Sequence, residues 1–264
     1  SGEPTQYESK TSRALLKQYG IRCWGAVTLT LGQRNLAAAD AKQRADSVAY
    51  VKSVVTMVKE LEGHEITIVP ATVGKIVADG TPEDEWRWVV DGLREVYDYA
   101  TQCGVRMAIE PLNRFETYFV NRGDQALALA NAVGKDCGVC LDMFHMNIEE
   151  KDLHATIRAV GSKLVDFHVA ENNRLAPGMG RFDWAAVVKT LNEIGYQGAL
   201  TLEVVAPVDR TPVSPWPNQV EKNPVDISPE QLKFIQDHGS SLLSESFYTM
   251  LYETSAKTLL PLIR

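Results

Sequence analysis

Short runs of continuous apolar residues, separated by segments with helical periodicity, constrain the fold of this 264-residue chain more than any other feature. Strands that are buried on both faces of a parallel sheet read as continuous apolar runs, whereas half-exposed strands alternate. Because helix patterns separate the runs, the sequence predicts successive strand–helix units. The six predicted strands are Cys23–Thr30, Ile66–Pro70, Val105–Glu110, Gly138–Asp142, Leu164–His168 and Ala199–Val205.

The segments between these runs carry signals for helix starts and stops. A helix is predicted after Thr81, which offers a capping hydroxyl before a proline and three acids, and it should end at Gly104. A second helix is predicted from Asp183 to Gly195, and a short one over Ser9–Tyr19 leads into the first strand. Strand and helix signals therefore alternate along the chain, as they do in α/β proteins.

This alternation, without a Gly-rich dinucleotide motif after a strand, predicts the α/β class and a single (β/α)8 TIM-barrel domain over residues 1–264. Six strands are fewer than the eight of such a barrel, and a barrel without two of its strands would expose apolar sheet edges. We therefore expect the first β-α-β portion of the barrel to precede Ser1.

The last part of the chain departs from the strand–helix pattern. Half of the 12 prolines lie in residues 206–230, which predicts a proline-rich insertion after the last strand, and residues 231–264 are predicted to form closing C-terminal helices. Within the insertion, Trp216 offers a flat apolar face. We expect it to be buried by a partner subunit or by a ring of the substrate.

Composition excludes several classes of function. With 27 Lys+Arg against 34 Asp+Glu, the net charge of −7 argues against binding nucleic acid. No apolar run reaches the roughly 18–20 residues of a membrane span, so a cytoplasmic protein is expected. The pair Cys137 and Cys140 lacks the second pair of ligands that structural zinc needs. These cysteines are therefore predicted to be reduced thiols in the core.

The last four predicted strands each end at a side chain that can bind a metal. These residues are Glu110, Asp142, His168 and Glu203. In a barrel, the carboxyl ends of the strands converge on one rim, where active sites lie. Three carboxylates with one imidazole suit a single divalent ion, with Mn²⁺ preferred and Mg²⁺ or Co²⁺ possible. The sequence thus predicts a metal-dependent enzyme.

Three segments around these residues carry a resemblance to a known family. Glu110-Pro-Leu-Asn-Arg-Phe-Glu116, Leu141-Asp-Met-Phe-His-Met-Asn-Ile-Glu-Glu150 and His168-Val-Ala-Glu-Asn-Asn-Arg174, followed by Pro-Gly-Met-Gly, resemble the sugar isomerase/epimerase superfamily. Within this superfamily, the segments resemble the ketose 3-epimerases of the D-tagatose and D-psicose type. This resemblance implies that Glu116, His145 and Arg174 hold the hydroxyls and carbonyl of a sugar, and that the four strand-end residues are metal ligands.

The mechanism that the resemblance implies is epimerisation of a free keto sugar through an enediolate. A metal next to a sugar carbonyl makes the neighbouring carbon acidic. Glu110 and Glu203, one on each side of the sugar, could then remove a proton from one face and return one to the other. These two glutamates are the predicted catalytic residues.

Two alternatives share this fold. The proline-rich tail departs from the epimerase pattern, and the catalytic subunits of C-glycoside deglycosidases resemble such a barrel working with a small partner subunit. The deglycosidase hypothesis predicts a lyase that acts on 3-keto C-glycosides and forms a hetero-oligomer. The epimerase hypothesis predicts a homo-oligomer. A more distant alternative is a DNA-repair barrel of the endonuclease IV type, which needs a histidine-rich site and a basic face.

Overall fold

The structure is a computed structural model that describes residues 3–209, 213, 220–221, 228–230, 232–233 and 243–263. Within these residues, six strands form one parallel sheet in which each strand pairs with the next along the chain. This is the sequential arrangement of a TIM barrel, as predicted. The strands are β1 (Gly25–Val27), β2 (Glu65–Ile68), β3 (Arg106–Ile109), β4 (Gly138–Asp142), β5 (Leu164–Val169) and β6 (Ala199–Leu202).

Eight α-helices have both ends within the described part of the chain, and residues 229–230 and 232–233 are also helical. The eight helices are α1 (Ser9–Gln18), α2 (Ala41–Glu60), α3 (Pro82–Cys103), α4 (Gly123–Val133), α5 (Met143–Glu149), α6 (Leu153–Val160), α7 (Trp184–Glu193) and α8 (Glu245–Leu259). Short 3₁₀ turns cover Pro4–Gln6 and Gly161–Lys163. None of the helices within the described ranges combines the length and the apolar character needed to cross a membrane.

The helix boundaries follow from local capping. The hydroxyl of Thr81 accepts a hydrogen bond from the Asp84 N–H at 3.2 Å, which begins α3, and Gly104 ends that helix with a left-handed φ of 70°. At α7 the carboxylate of Asp183 accepts from the Ala186 N–H at 3.0 Å, and Gly195 follows the helix with φ 68°. The predicted start and stop signals are therefore confirmed at both helices.

The two faces of the sheet differ in character. Side chains such as Ile66, Ile68 and Met107 pack with the helices in one large apolar core. The opposite face carries a smaller apolar cluster of Ala108, Cys140 and Val165. The predicted burial of the cysteine pair is confirmed, since both Cys137 and Cys140 are buried free thiols. Beyond the small cluster, this inner face becomes polar toward the carboxyl ends of the strands.

A third apolar cluster connects α8 to the loops after β5 and β6. It consists of Leu175, Ala176, Ala206, Leu243 and Leu251. Most of the predicted insertion 206–230, including Trp216, lies outside the described residues, as do parts of the predicted closing segment 231–264. Of the insertion, Val208 and Glu221 form a parallel bridge, and the carboxylate of Glu221 accepts a hydrogen bond from the Ser244 hydroxyl at 2.6 Å.

Candidate metal centre

The sheet brings the four predicted ligand residues to its carboxyl edge. Glu110 directly follows β3, Asp142 is the last residue of β4, His168 lies near the end of β5, and Glu203 directly follows β6. The ladder holds their main chains in register, since the Glu110 N–H donates to Ile68 and the Glu203 N–H donates to Val169. Neighbouring parallel strands therefore present the four side chains side by side.

The ligand atoms of these four residues form a compact cluster. One nitrogen of His168 and one oxygen from each of the three carboxylates all lie within 4.8 Å of one another. The side chains of Asp142 and His168 are fully buried and that of Glu110 is 2% exposed, whereas that of Glu203 is 36% exposed. The cluster is therefore closed toward the barrel interior and accessible from the side of Glu203.

Several atoms in this cluster approach closely without forming hydrogen bonds. Nδ1 of His168 is 2.7 Å from Oε2 of Glu203 and 3.0 Å from Oε1 of Glu110. All three atoms are buried and lack a hydrogen-bond partner among the described residues. Buried polar atoms without partners are rare, and a bound ion is one way to satisfy them. A divalent cation fits this set of one imidazole nitrogen and carboxylate oxygens.

The electrostatics of the cluster also favour added positive charge. Burial raises the pKa of Glu110. Burial also lowers the pKa of His168, but the groups around it, including Glu110 and Glu203, outweigh burial and raise that pKa well above its ordinary value. For Glu203, burial raises the pKa, whereas the positive fields of His168 and Arg174 prevail and lower it well below the ordinary value. A cation placed here would offset the excess of negative charge.

Arg174 contacts the cluster directly. Its Nη1 donates to Oδ2 of Asp142 at 2.7 Å, and its Nη2 lies 2.8 Å from Oε1 of Glu203. The guanidinium also lies over the ring of Phe144, 4.8 Å from the centroid. The residue has a left-handed φ of 62°, which a turn in the loop after β5 requires. The predicted sugar-binding arginine thus bridges two of the predicted metal ligands.

Glu116, in the loop after β3, lies next to His145 of α5. Nδ1 of His145 accepts from the main-chain N–H of Asn113 at 3.2 Å, and the Asn113 amide donates to Oε1 of Glu116 at 2.8 Å. Because Nδ1 is an acceptor, the hydrogen of the neutral His145 ring is on Nε2. Glu116 lies 3.9 Å from Nδ1 of His145, so the loop brings these two predicted sugar contacts together.

Two other polar groups near the strand ends bind the protein itself. Arg114 pairs with Glu149, with Nη2 to Oε2 at 2.8 Å. In the Pro177-Gly-Met-Gly180 turn, a Cβ on Gly180 would lie 2.4 Å from Oε2 of Glu171. The close contact of this turn is therefore with a buried carboxylate of the same loop.

No pattern in the sequence indicated a function for Asp166 or Thr201. Asp166 is 1% exposed and lies two residues before His168 in β5, and Thr201 donates to its carboxylate from β6 at 2.8 Å. The available signal was a charged residue inside an apolar strand. A strand buried on both faces shows no alternation, so the pattern did not indicate which way Asp166 points.

A model of the xylose isomerase-like TIM-barrel family matches residues 2–238 of the chain. Among individual proteins, a D-psicose 3-epimerase of Agrobacterium fabrum is 34% identical over 76% of this chain and 70% of its own length. A D-psicose 3-epimerase of Ruminiclostridium cellulolyticum is 33% identical over 67% of this chain and 63% of its own length, so the chain spans less than two thirds of that relative.

A solved structure has the same fold. The structure of D-psicose 3-epimerase with D-tagatose from Clostridium cellulolyticum H10 superposes with a TM-score of 0.75 at 25% identity, and the match covers 98% of this chain and 84% of that one. These relatives are named for epimerisation of sugars. None of these three is named as a C-glycoside lyase.

Proposed function

Because the chain belongs to the xylose isomerase-like TIM-barrel family, we propose that it is a divalent-metal-dependent ketose 3-epimerase that acts on a free keto sugar through an enediolate. The observation that carries the proposal is the cluster of Glu110, Asp142, His168 and Glu203, whose ligand atoms lie within 4.8 Å of one another. Three carboxylates with one imidazole suit Mn²⁺, with Mg²⁺ or Co²⁺ as further candidates. The names of the epimerase relatives support the reaction class.

The proposed proton transfers use the chain's own glutamates. A bound divalent cation would supply stabilisation of the negative charge that develops on a sugar carbonyl when the neighbouring carbon loses its proton. Glu110 follows β3 and Glu203 follows β6, and both approach Nδ1 of His168, at 3.0 and 2.7 Å, so two carboxylates are available at the same centre. One removes the proton from carbon 3 and the other returns a proton to the opposite face, which inverts that carbon.

The remaining residues of the site would orient the sugar. Arg174 lies 2.8 Å from Glu203 through Nη2 and has a rigid set of donors, which suits a carbonyl or hydroxyl oxygen. The Nε2 hydrogen of His145 and the carboxylate of Glu116 supply a donor and an acceptor at neighbouring points, which suits a polyhydroxylated substrate. We include these three side chains in the proposal as sugar-binding residues.

The experiment that tests the proposal is an assay of purified protein, loaded with Mn²⁺, against D-fructose, D-psicose, D-tagatose and a 3-keto C-glycoside. Products are followed by chromatography, with exchange of the carbon-3 hydrogen in D₂O as a second readout. We expect interconversion of ketohexose 3-epimers with solvent exchange. Cleavage of the glycoside without epimerisation would contradict the proposal.

Matched variants identify which carboxylates transfer the proton in that assay. Glu203→Gln and Glu110→Gln remove a proton acceptor and should lower kcat by at least about 10²–10⁴-fold, the usual contribution of general acid–base groups. Glu193→Gln, which changes a carboxylate on α7 that pairs with Arg158, is the control and should leave turnover unchanged. Normal turnover in Glu203→Gln would exclude the proposed proton transfer.

A further inference from the structure

The imidazole of His168 lies between two sets of acidic groups. On one side, Nδ1 is 2.7 Å from Oε2 of Glu203 and 3.0 Å from Oε1 of Glu110. On the other side, Nε2 is 3.4 Å from Oδ2 of Asp166. Both ring nitrogens are buried, and neither has a hydrogen-bond partner within the described part of the chain. One nitrogen thus faces the candidate metal centre and the other faces Asp166.

The carboxylate of Asp166 is held in place from two directions. Asp166 and His168 are two residues apart in β5, so their side chains lie on the same face of the sheet. The Thr201 hydroxyl contacts both carboxylate oxygens, at 2.8 and 2.9 Å, and the Phe167 N–H donates to Oδ1 at 2.9 Å. Thr201 is also the residue that pairs with His168 between β5 and β6. The ladder that positions the histidine therefore also positions the acid beside it.

The surroundings of Asp166 give it one basic neighbour. Across the ranges that the structure describes, His168 is the basic side chain within 4.0 Å of this carboxylate. A buried carboxylate is costly unless hydrogen bonds or a positive group satisfy it, and Thr201 and Phe167 fill only part of the acceptor capacity of Asp166. Asp166 therefore favours a hydrogen on the ring nitrogen that faces it. A hydrogen on Nε2 leaves the lone pair of Nδ1 free. A metal-binding imidazole needs such a lone pair, and its other nitrogen usually donates to a carboxylate or carbonyl.

We propose that Asp166 is a positioning residue that accepts the Nε2 hydrogen of His168 and thereby directs Nδ1 at the divalent cation. This inference rests on the proposed function, because it assumes that the cation is held by Glu110, Asp142, His168 and Glu203. It extends that function to a side chain that does not touch the ion. Asp166 selects the ring tautomer, restricts ring rotation and adds a negative charge behind the histidine.

The first test is the affinity for Mn²⁺, which does not depend on turnover. The purified chain is freed of metal with a chelator and titrated with Mn²⁺ by calorimetry, as wild type, as Asp166→Asn and as Glu65→Gln. Glu65 is the matched control because it is a buried carboxylate on the inner face of β2 that bonds Thr67 and has no contact with His168 within 4.0 Å. We expect Asp166→Asn to weaken Mn²⁺ binding by about 10–100-fold, and Glu65→Gln to stay close to wild type.

The second test examines the unmodified chain, so it holds even where Asp166→Asn fails to fold. Long-range ¹H–¹⁵N spectra of protein loaded with diamagnetic Mg²⁺ report which ring nitrogen of each histidine carries the hydrogen, and His168→Gln assigns the signal. We expect His168 to carry its hydrogen on Nε2. A hydrogen on Nδ1 alone would overturn the inference, as would wild-type Mn²⁺ affinity in Asp166→Asn.

These outcomes separate the inference from the proposed function. A wild type that binds Mn²⁺ and carries the hydrogen on Nε2, but leaves every ketohexose unchanged, contradicts the epimerase proposal and supports the positioning of His168. Conversely, an active wild type whose Asp166→Asn variant binds Mn²⁺ normally supports the epimerase and overturns the inference.

Discussion

Asp142 uses its two carboxylate oxygens for different contacts. Oδ1 accepts from the main-chain N–H groups of Phe144 and His145, at 2.6 and 3.3 Å, and so caps α5. Oδ2 accepts from Arg174 at 2.7 Å and belongs to the candidate metal centre. One residue thus ends a strand, begins a helix and contributes to the site. The cap holds the carboxylate in one orientation, which favours ordered binding of a cation.

At the scale of single residues, Arg174 supports the first prediction. Arg174→Gln removes a guanidinium, 12% exposed, that binds both Asp142 and Glu203. The metal-free variant should lose about 3–5 kcal/mol in its free energy of unfolding, because the loss of one partner leaves clustered negative charge uncompensated. Urea denaturation in the presence of a chelator measures this change.

The control for this prediction is Arg181→Gln, since Arg181 lies in the same loop with an exposed side chain. It should change the free energy of unfolding by less than about 0.5 kcal/mol. Equal stability of the Arg174 and Arg181 variants would show that the contacts of Arg174 do not balance the carboxylates.

At the scale of elements, the loop after β3 is joined to α5 by an ion pair. The main-chain N–H of Arg114 donates to Oε1 of Glu149 at 2.7 Å, and its guanidinium donates to both carboxylate oxygens. The side chain of Glu149, the last residue of α5, is 4% exposed. The loop that carries Glu116 is therefore attached to the helix that carries His145.

The second prediction concerns the pH dependence of this attachment. Hydrogen bonding to Arg114 lowers the pKa of Glu149, so the pair stabilises the fold fully above the unfolded carboxyl value of about 4.3. That contribution is lost as the pH falls through the lowered pKa of the folded state. Arg114→Gln should therefore be less stable than wild type at pH 7, and the difference should shrink progressively below about pH 4.

Chemical denaturation at a series of pH values from 7 to 3 measures this difference. The Glu149→Gln variant is the control, because Arg114→Gln should have little further effect in that background at any pH. A difference between Arg114→Gln and wild type that is independent of pH would exclude the ion pair as its cause.

At the scale of the whole molecule, the candidate metal centre joins strands that are far apart in sequence. Its four residues come from the ends of β3, β4, β5 and β6, and the same strands pack with the helices in one apolar core. An ion bound to all four would bind the folded chain and not the unfolded one. Binding should therefore raise the stability of the entire domain.

The third prediction follows from this linkage. At a Mn²⁺ concentration about 100 times its Kd, the fold should gain about 2.7 kcal/mol, which corresponds to a rise in Tm of roughly 5–10 °C for a domain of this size. Calorimetry of chelator-treated protein with and without added Mn²⁺ measures the gain. His168→Gln should lose most of it. An unchanged Tm over the whole range of Mn²⁺ concentrations would argue against a metal site in this cluster.

The predicted bounds of strands and helices agree best with the structure where they rest on neighbouring residues, such as helix caps and apolar runs. The bounds of β4 match the predicted Gly138–Asp142, and the caps at Thr81 and Asp183 begin the helices that they predict. The run Ala199–Val205 is longer than β6, because the chain leaves the regular ladder after Leu202 and Glu203 retains one main-chain bond to Val169. Apolar runs therefore predict where strands lie more reliably than where they end.

Short-range patterns in the sequence predict the order of strands and helices, the parallel sheet and the acidic or imidazole side chains at four strand ends. They do not predict that Arg174 bridges Asp142 and Glu203, or that Asp166 faces the second nitrogen of His168, because these contacts form only in the folded chain. Such contacts depend on strand register, including the irregularity between Val139 and Cys140 where β4 meets β5. Register is set by packing between distant segments, which no local pattern in the chain contains.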